Sequence, residues 1–297
     1  MSQVSLVKIQ KNDLKAAIEE ALHLIRYDFD KEIENVVIKP NLCYYWDYST
    51  GQTTDPRFIS ALVDTIRKST SPRVKISIIE SDASAMKCKY AFKFLGYERV
   101  AKENDFRLVN LTEQKCDPVE VKVGNLSYRF QVPQIIRNAD LLINVTKIKY
   151  SLDVIKLTCA MKNIFGCIPY PKKFKYHPYL NEIIVAINEA IKFDLCLVDG
   201  NVVTGSGVKG LGLVMASEDP VAIDSAAARI AGINPYSIKY LKLASKAGLG
   251  NINFGTRGMP IRYFKERYPR RTAKSKLMSK AFELVSILNL GGKLGLE

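Results

Sequence analysis

The sequence has no run approaching the roughly 20 apolar residues that a membrane-spanning helix needs. Its start, Met1-Ser2-Gln3-Val4-Ser5-Leu6, is too polar for a secretory leader, so the expected location is cytoplasmic. None of the six cysteines (Cys43, Cys88, Cys116, Cys159, Cys167 and Cys196) stands in a C-x-x-C pair. The spacing therefore supports neither a zinc site nor an iron–sulfur cluster of the chain's own, and reduced, partly buried thiols are expected. No G-x-G-x-x-G follows the first predicted strand. The glycines at 205, 207, 210 and 212 lack the G-K-[ST] of a phosphate-binding loop, so nucleotide binding of the usual kinds is not expected. No serine nucleophile elbow is present. Histidine is scarce, with only His23 and His177.

What is present is the composition of a globular chain. It has 297 residues, 47% of them hydrophobic and 25% charged, enough to bury a large core. The net charge of +14 is unevenly spread. Arg257, Arg262, Lys265, Arg267, Arg270, Arg271, Lys274, Lys276 and Lys280 lie close together, opposed only by Glu266. The basic stretch 257–280 could attract nucleic acid or an anionic membrane surface. Beyond it, Leu277, Met278, Ala281, Phe282, Leu284, Val285 and Leu288 recur at helical spacing. A division follows: an α/β domain over 1–254 and a basic tail with an amphipathic helix over 255–297.

Apolar periodicity predicts strands alternating with helices. Helical spacing runs from Leu14 to Ile25, along Phe58, Ile59, Leu62, Val63 and Ile66, and over Ala85–Leu95, Val154–Ile164, Tyr179–Ile191, Val221–Ala231 and Ile238–Ala247. Asp55-Pro56 and Asp219-Pro220 each pair an N-cap carboxylate with proline at the first helical position. Short apolar runs at Val36–Ile38, Val74–Ile79, Phe106–Val109, Leu141–Val145 and Leu195–Val198 predict buried strands; Gly205–Gly212 reads as a loop leading to Leu213–Met215. Residues 119–132 alternate around Gly124-Asn125, which predicts a β-hairpin insertion. The expected fold is α/β: a mainly parallel sheet with helices on both faces, that hairpin, and a basic C-terminal helical appendage.

In such folds ligands bind outside the carboxyl ends of the strands, where loops and helix N-termini converge. The residues expected there are Lys39 and Asn41, Glu80 and Asp82, Lys147 and Lys149, Asp199, and Glu218 and Asp219. Thr54, Lys162 and Asn163 join them from neighbouring segments. Lysines neutralise a carboxylate or phosphate as point charges. Glu80, Asp82 and Asp199 could move protons or hold Mg²⁺ through oxygen, and the residue types do not choose between the two. His177 stands in a basic loop and could serve as an acid or base; an incidental loop histidine is the commoner case.

Several segments, in order, resemble the prokaryotic family called domain of unknown function 362. They are Ile38-Lys39-Pro40-Asn41-Leu42, Thr53-Thr54-Asp55-Pro56, Ile143-Asn144-Val145-Thr146-Lys147-Ile148-Lys149, Met161-Lys162-Asn163-Ile164-Phe165-Gly166, Val198-Asp199-Gly200 and Glu218-Asp219-Pro220-Val221-Ala222-Ile223-Asp224. The likeness runs from about Val36 to Gly250. Many relatives look redox-associated and carry a ferredoxin-type cysteine run, which this chain lacks. A histidine common after the K-x-K motif is replaced here by Tyr150-Ser151. The layout is also distantly similar to the N-terminal part of nickel-dependent lactate racemase, a likeness that favours proton or hydride chemistry on a small acid.

The resulting expectation is an enzyme for a small anionic substrate. Glu80, Asp82, Lys147 and Asp199 are the catalytic candidates, and Glu80, Asp82 and Asp199 the candidate metal ligands. Lys39, Asn41, Thr54, Lys149, Lys162, Asn163 and Asp219 are the candidates for holding substrate. The alternatives are a non-catalytic module recruited through the basic tail, and a protein working with a redox partner that brings its own cluster.

Overall fold

The computed structural model describes residues 1–151 and 154–271. Twelve strands run in chain order: β1 (Gln3–Lys8), β2 (Asn35–Lys39), β3 (Lys75–Glu80), β4 (Arg107–Asn110), β5 (Cys116–Val123), β6 (Leu126–Pro133), β7 (Leu141–Thr146), β8 (Lys149–Tyr150), β9 (Leu157–Thr158), β10 (Leu195–Thr204), β11 (Val208–Ser217) and β12 (Gly255–Gly258). The helices are α1 (Leu14–Ile25), α2 (Pro56–Ser69), α3 (Cys88–Phe94), α4 (Tyr97–Glu103), α5 (Gln134–Arg137), α6 (Ala160–Ile164), α7 (Leu180–Ala190), α8 (Pro220–Ile230), α9 (Lys239–Lys246) and α10 (Ile261–Lys265).

Eight strands form the main sheet in the order β12-β1-β11-β10-β7-β2-β3-β4. Strand β11 pairs antiparallel with both β10 and β1, and every other pairing in this sheet is parallel. The alternation of side chains along each strand explains why the runs are apolar throughout. Val36 and Ile38, Leu141, Ile143 and Val145, and Leu195 and Leu197 enter one core, shared with α1, α2, α3 and α4. Val37, Leu142, Cys196 and Val198 enter the other, shared with α6, α7, α8 and α9. A strand buried on both faces has no polar side to alternate with.

The structure bears out the helices at Leu14, Asp55-Pro56 and Asp219-Pro220 and the hairpin near 119–132, whose strands β5 and β6 form a sheet of their own. It departs from expectation in four places. The Leu195 strand continues past Asp199 to Thr204 and pairs with β11, so the glycines at 205–212 belong to a β-hairpin and not to a loop; a register shift between Gly200 and Val202 bends it. Helix α6 spans only Ala160–Ile164, because Leu157-Thr158 pairs with Lys149-Tyr150 instead. The segment expected as one helix at 85–95 is shorter, and Gly96 leads into the unexpected α4.

The fourth departure is the boundary at 254. Gly255–Gly258 forms an edge strand on β1, α10 buries Phe264, and Tyr268 donates a hydrogen bond to the Ile148 carbonyl at 2.9 Å. Gly255–Gly258 thus completes one edge of the sheet, and α10 and Tyr268 pack against the body beside it. The amphipathic stretch from Leu277 to Leu288 lies outside the described residues.

Candidate functional site

The carboxyl ends of β2, β3, β7 and β10 share one edge of the sheet, because these strands run parallel. Two buried ion pairs stand there. Lys39 Nζ donates to Glu80 Oε2 at 2.7 Å and to the Pro40 carbonyl at 3.0 Å. Lys147 Nζ lies 3.1 Å from Asp199 Oδ2, with both side chains only 1% exposed. Asp199 also accepts the N–H groups of Asp55 and Asn201, which ties the start of α2 to β10.

A chain of amides links these pairs to α6. Asn41 Nδ2 donates to Asn163 Oδ1 at 2.8 Å, Asn163 Nδ2 donates to Asn144 Oδ1 at 2.8 Å, and Asn144 Nδ2 donates to the Ala160 carbonyl at 2.9 Å. The Asn41 backbone is fixed separately, its N–H donating to Thr54 Oγ1 at 3.0 Å. Helix α6 is itself anchored by Asp224, whose carboxylate accepts from the N–H groups of Ala160 and Met161 and from the Tyr240 hydroxyl. Burial pushes the Asp224 carboxyl up to about 7.

Three further lysines face the same region without a carboxylate of their own. Lys149 Nζ donates to Asn41 Oδ1 at 2.6 Å and to the Gln52 carbonyl at 2.9 Å, with the Cys43 thiol beside it. Lys173 Nζ donates to Ser81 Oγ and to the Asp82 carbonyl, both at 2.8 Å. Lys162 has no hydrogen-bond acceptor or ion-pair partner among the described residues, and its Nζ sits 4.1 Å over the Phe165 ring. Burial lowers the Lys149 and Lys173 ammonium pKa values; the Cys43 thiol opposes this at Lys149 and the Glu80 charge opposes it at Lys173, while neighbouring lysines add to it. Lys162 is pushed down to about 7, by burial first and then by the charges of Lys149, Lys173 and Lys39. His177, close enough to feel Lys162, is pushed down to about 4 chiefly by burial. Its buried Nδ1 has no hydrogen-bond partner.

Gly166 shows how tightly this edge is built. A Cβ there would stand 2.7 Å from Lys39 Cε and 3.1 Å from Glu80 Oε1. A residue with a side chain could not pass so close to the ion pair.

The expected site residues divide accordingly. Lys39, Asn41, Thr54, Glu80, Lys147, Lys149, Lys162, Asn163 and Asp199 come together at this edge. Asp82 lies beside them but is engaged in structure: it accepts from Cys88 N–H at the start of α3 and from Lys87 Nζ. Burial raises its pKa, but these donors outweigh that and leave the carboxyl below its usual range. Asp219 requires a correction. Because β11 runs against its neighbours, Asp219 stands at the opposite edge, where it caps α8 and accepts from Ser2 Oγ and Asn251 N–H. Glu218, next to it, is exposed. The metal set also needs revision. Glu80, Asp82 and Asp199 are bound to three different lysines, and among the described residues no three His, Cys, Asp or Glu side chains gather as a metal cluster.

Lys173, Cys43 and Asn144 were not among the expected site residues. Lys173 lies in a Pro/Lys/Tyr-rich loop where nothing local separates it from Lys172 and Lys175. Asn144 did leave a signal, as a lone amide within the apolar run of β7.

Fold and site together define an α/β protein with a lysine-rich, amide-braced cluster at the carboxyl edge of its sheet. The model of the family described as "Domain of unknown function (DUF362)" matches residues 36–229, and the chain belongs to that family. Thylakoid-associated protein sll1697 of Synechocystis is 30% identical over 125 residues, covering 38% of this chain and 39% of that protein. The chain thus matches well under half the length of this relative. Among solved structures, the lactate racemase apoprotein from Thermoanaerobacterium thermosaccharolyticum is similar with a TM-score of 0.48 and 13% identity, over 78% of this chain and 57% of that one.

Proposed function

We propose that the carboxyl-edge pocket binds a small anion carrying a carboxylate or phosphate, as the substrate of an enzyme. The observation that carries this reading is the charge balance. Lys39 and Lys147 have carboxylate partners, whereas Lys149, Lys162 and Lys173 have none. Lys149 is buried and Lys162 and Lys173 are half-buried, and charges drawn out of water are normally paired, because desolvating an isolated one costs free energy. An anion supplies the missing charge. An ammonium has three donors; Lys173 spends two within the chain and Lys162 spends none.

The test is calorimetric titration with inorganic phosphate and with acetate at two ionic strengths. Saturable one-to-one binding that persists at high salt supports the pocket, since a buried site is less screened than a surface patch. Binding that survives Lys162→Met unchanged counts against it.

A second reading concerns where the chain acts. Tyr44, Tyr45, Trp46, Tyr90 and Phe94 are exposed together, linked by ring contacts and flanked by the exposed Lys87, Lys89 and Lys93. Aromatic rings interspersed with lysines suit an anionic membrane surface, and the relative from Synechocystis is named as thylakoid-associated. In the described part of the basic stretch, 257–271, Arg262 and Arg267 are already engaged by Glu266 and Tyr263. Trp46 is the only tryptophan in the chain. Vesicles of phosphatidylglycerol should shift its emission to the blue, and vesicles of phosphatidylcholine should not; equal responses would count against membrane recruitment.

A further inference from the structure

We infer that Lys162 is a carbonyl-reactive amine, forming an imine with a small 2-oxo acid whose carboxylate is met by the Lys149 and Lys173 charges. The inference rests on the anion-pocket reading and adds the chemistry of the bound molecule.

Three observations converge on Lys162. Its Nζ has no acceptor among the described residues, and it lies against the face of Phe165. Burial first, then the positive charges of Lys149, Lys173 and Lys39, bring Lys162 down to about 7, so a large share of neutral amine is present at neutral pH. An amine desolvated beside other cations is a nucleophile at neutral pH, whereas an ion-paired lysine such as Lys147 is not. The third observation is His177. It feels the charge of Lys162, its ring packs 4.7 Å from Phe174, and its buried Nδ1 has no partner. A neutral imidazole beside a free amine can carry the protons that imine formation moves.

The step balances without an oxidant or reductant. The Lys162 nitrogen lone pair attacks the carbonyl carbon. A C–N bond forms as the C=O π pair moves to oxygen. One proton passes from nitrogen to that oxygen, by way of His177, giving the carbinolamine. The hydroxyl then takes a second proton from solvent water and leaves as water while the nitrogen lone pair closes the C=N bond, giving the iminium, which returns one proton to solvent as the imine. The carboxylate of the 2-oxo acid offsets the lysine charges and orients the carbonyl. Among anions, the pocket thereby favours one that carries an adjacent carbonyl.

The experiment uses the full chain, pyruvate as the probe, and sodium borohydride to trap an imine as a stable secondary amine. Intact-mass measurement and peptide mapping should find one adduct per chain, located on Lys162 and formed at least tenfold faster than on other lysines. Lys162→Arg removes the nucleophile and should abolish the adduct, and acetate binding to the unaltered chain, followed by calorimetry, reports separately on the anion site. His177→Gln should slow adduct formation without moving the site. Adducts scattered over surface lysines, or an undiminished yield in Lys162→Arg, would overturn the inference. Acetate binding without any pyruvate adduct would refute the imine and leave the anion pocket standing. Absence of both would remove the two together.

Discussion

Lys147 and Lys162 carry the same charge at the same edge of the sheet, yet their substitution should have opposite effects on stability. Lys147 neutralises Asp199, and both are fully buried. Lys147→Met leaves that carboxylate with only two backbone donors and should cost about 3–5 kcal/mol in denaturant unfolding. Lys162 is half-buried and has no such partner, so Lys162→Met removes a charge that mildly opposes folding and should raise the melting temperature of the unliganded protein slightly. The pH dependence follows from the lowered pKa. Lys162 titrates near 7 in the folded chain against 10.5 as its ordinary value. The folded state therefore binds fewer protons between these limits, and stability rises with pH across them. Below about pH 7 the half-buried amine is charged in the folded chain, so the advantage of Lys162→Met is greatest there. It should shrink as pH rises toward 10.5. A gap that is flat with pH, by chemical denaturation, would contradict the buried-charge account. Gly166→Ala tests the crowding on the other ion pair. A Cβ pressed against Lys39 and Glu80 should cost about 1–3 kcal/mol.

At the scale of elements, α6 matters more than its five residues suggest. It presents Lys162 and Asn163, and its first N–H groups are capped across the core by Asp224. The Asp224 pKa is raised by burial, so the folded chain holds its proton more tightly than the unfolded chain does. Stability from this group is therefore fully present below about pH 4 and is lost as pH rises toward 7. Asp224→Asn should flatten that part of the stability profile relative to wild type; an unchanged slope would refute the assignment. The two Asp-Pro helix starts offer a contrast. Asp55 is tied to the site through Asp199, whereas Asp219 caps α8 and holds Ser2 and Asn251 at the far edge. Asp219→Ala should cost about 1 kcal/mol or somewhat more and leave phosphate binding unaltered. These elements also show what was legible in the sequence. Caps and apolar periodicity are local, so α1, α2, α8 and the 116–133 hairpin could be read from residues a few positions apart. The antiparallel course of β11 is not local. Its glycines read as a loop, and that single reversal carries Asp219 away from the site where strand-end reasoning had placed it. The same limit hid Lys173, which reaches Ser81 from a loop 92 positions further along.

For the whole molecule, the sheet sets positions and the loops supply charge. Parallel β2, β3, β7 and β10 bring Lys39, Glu80, Lys147 and Asp199 to one edge, and the asparagine chain through 41, 163 and 144 fixes α6 against them. At this scale the chain carries a net charge of +14, so polyanions will attract it non-specifically and salt must be controlled in every binding experiment. The central claim is that an uncompensated cluster of lysines awaits a small anion. It is tested most directly by calorimetric titration of inorganic phosphate into wild type and Lys162→Met at 0.5 M sodium chloride, with folding of both verified by melting temperature. The account predicts one saturable site in wild type and an affinity lowered about tenfold or more in the variant, a difference near 1.4 kcal/mol. Equal affinities in the two proteins, or no binding to wild type, would contradict it.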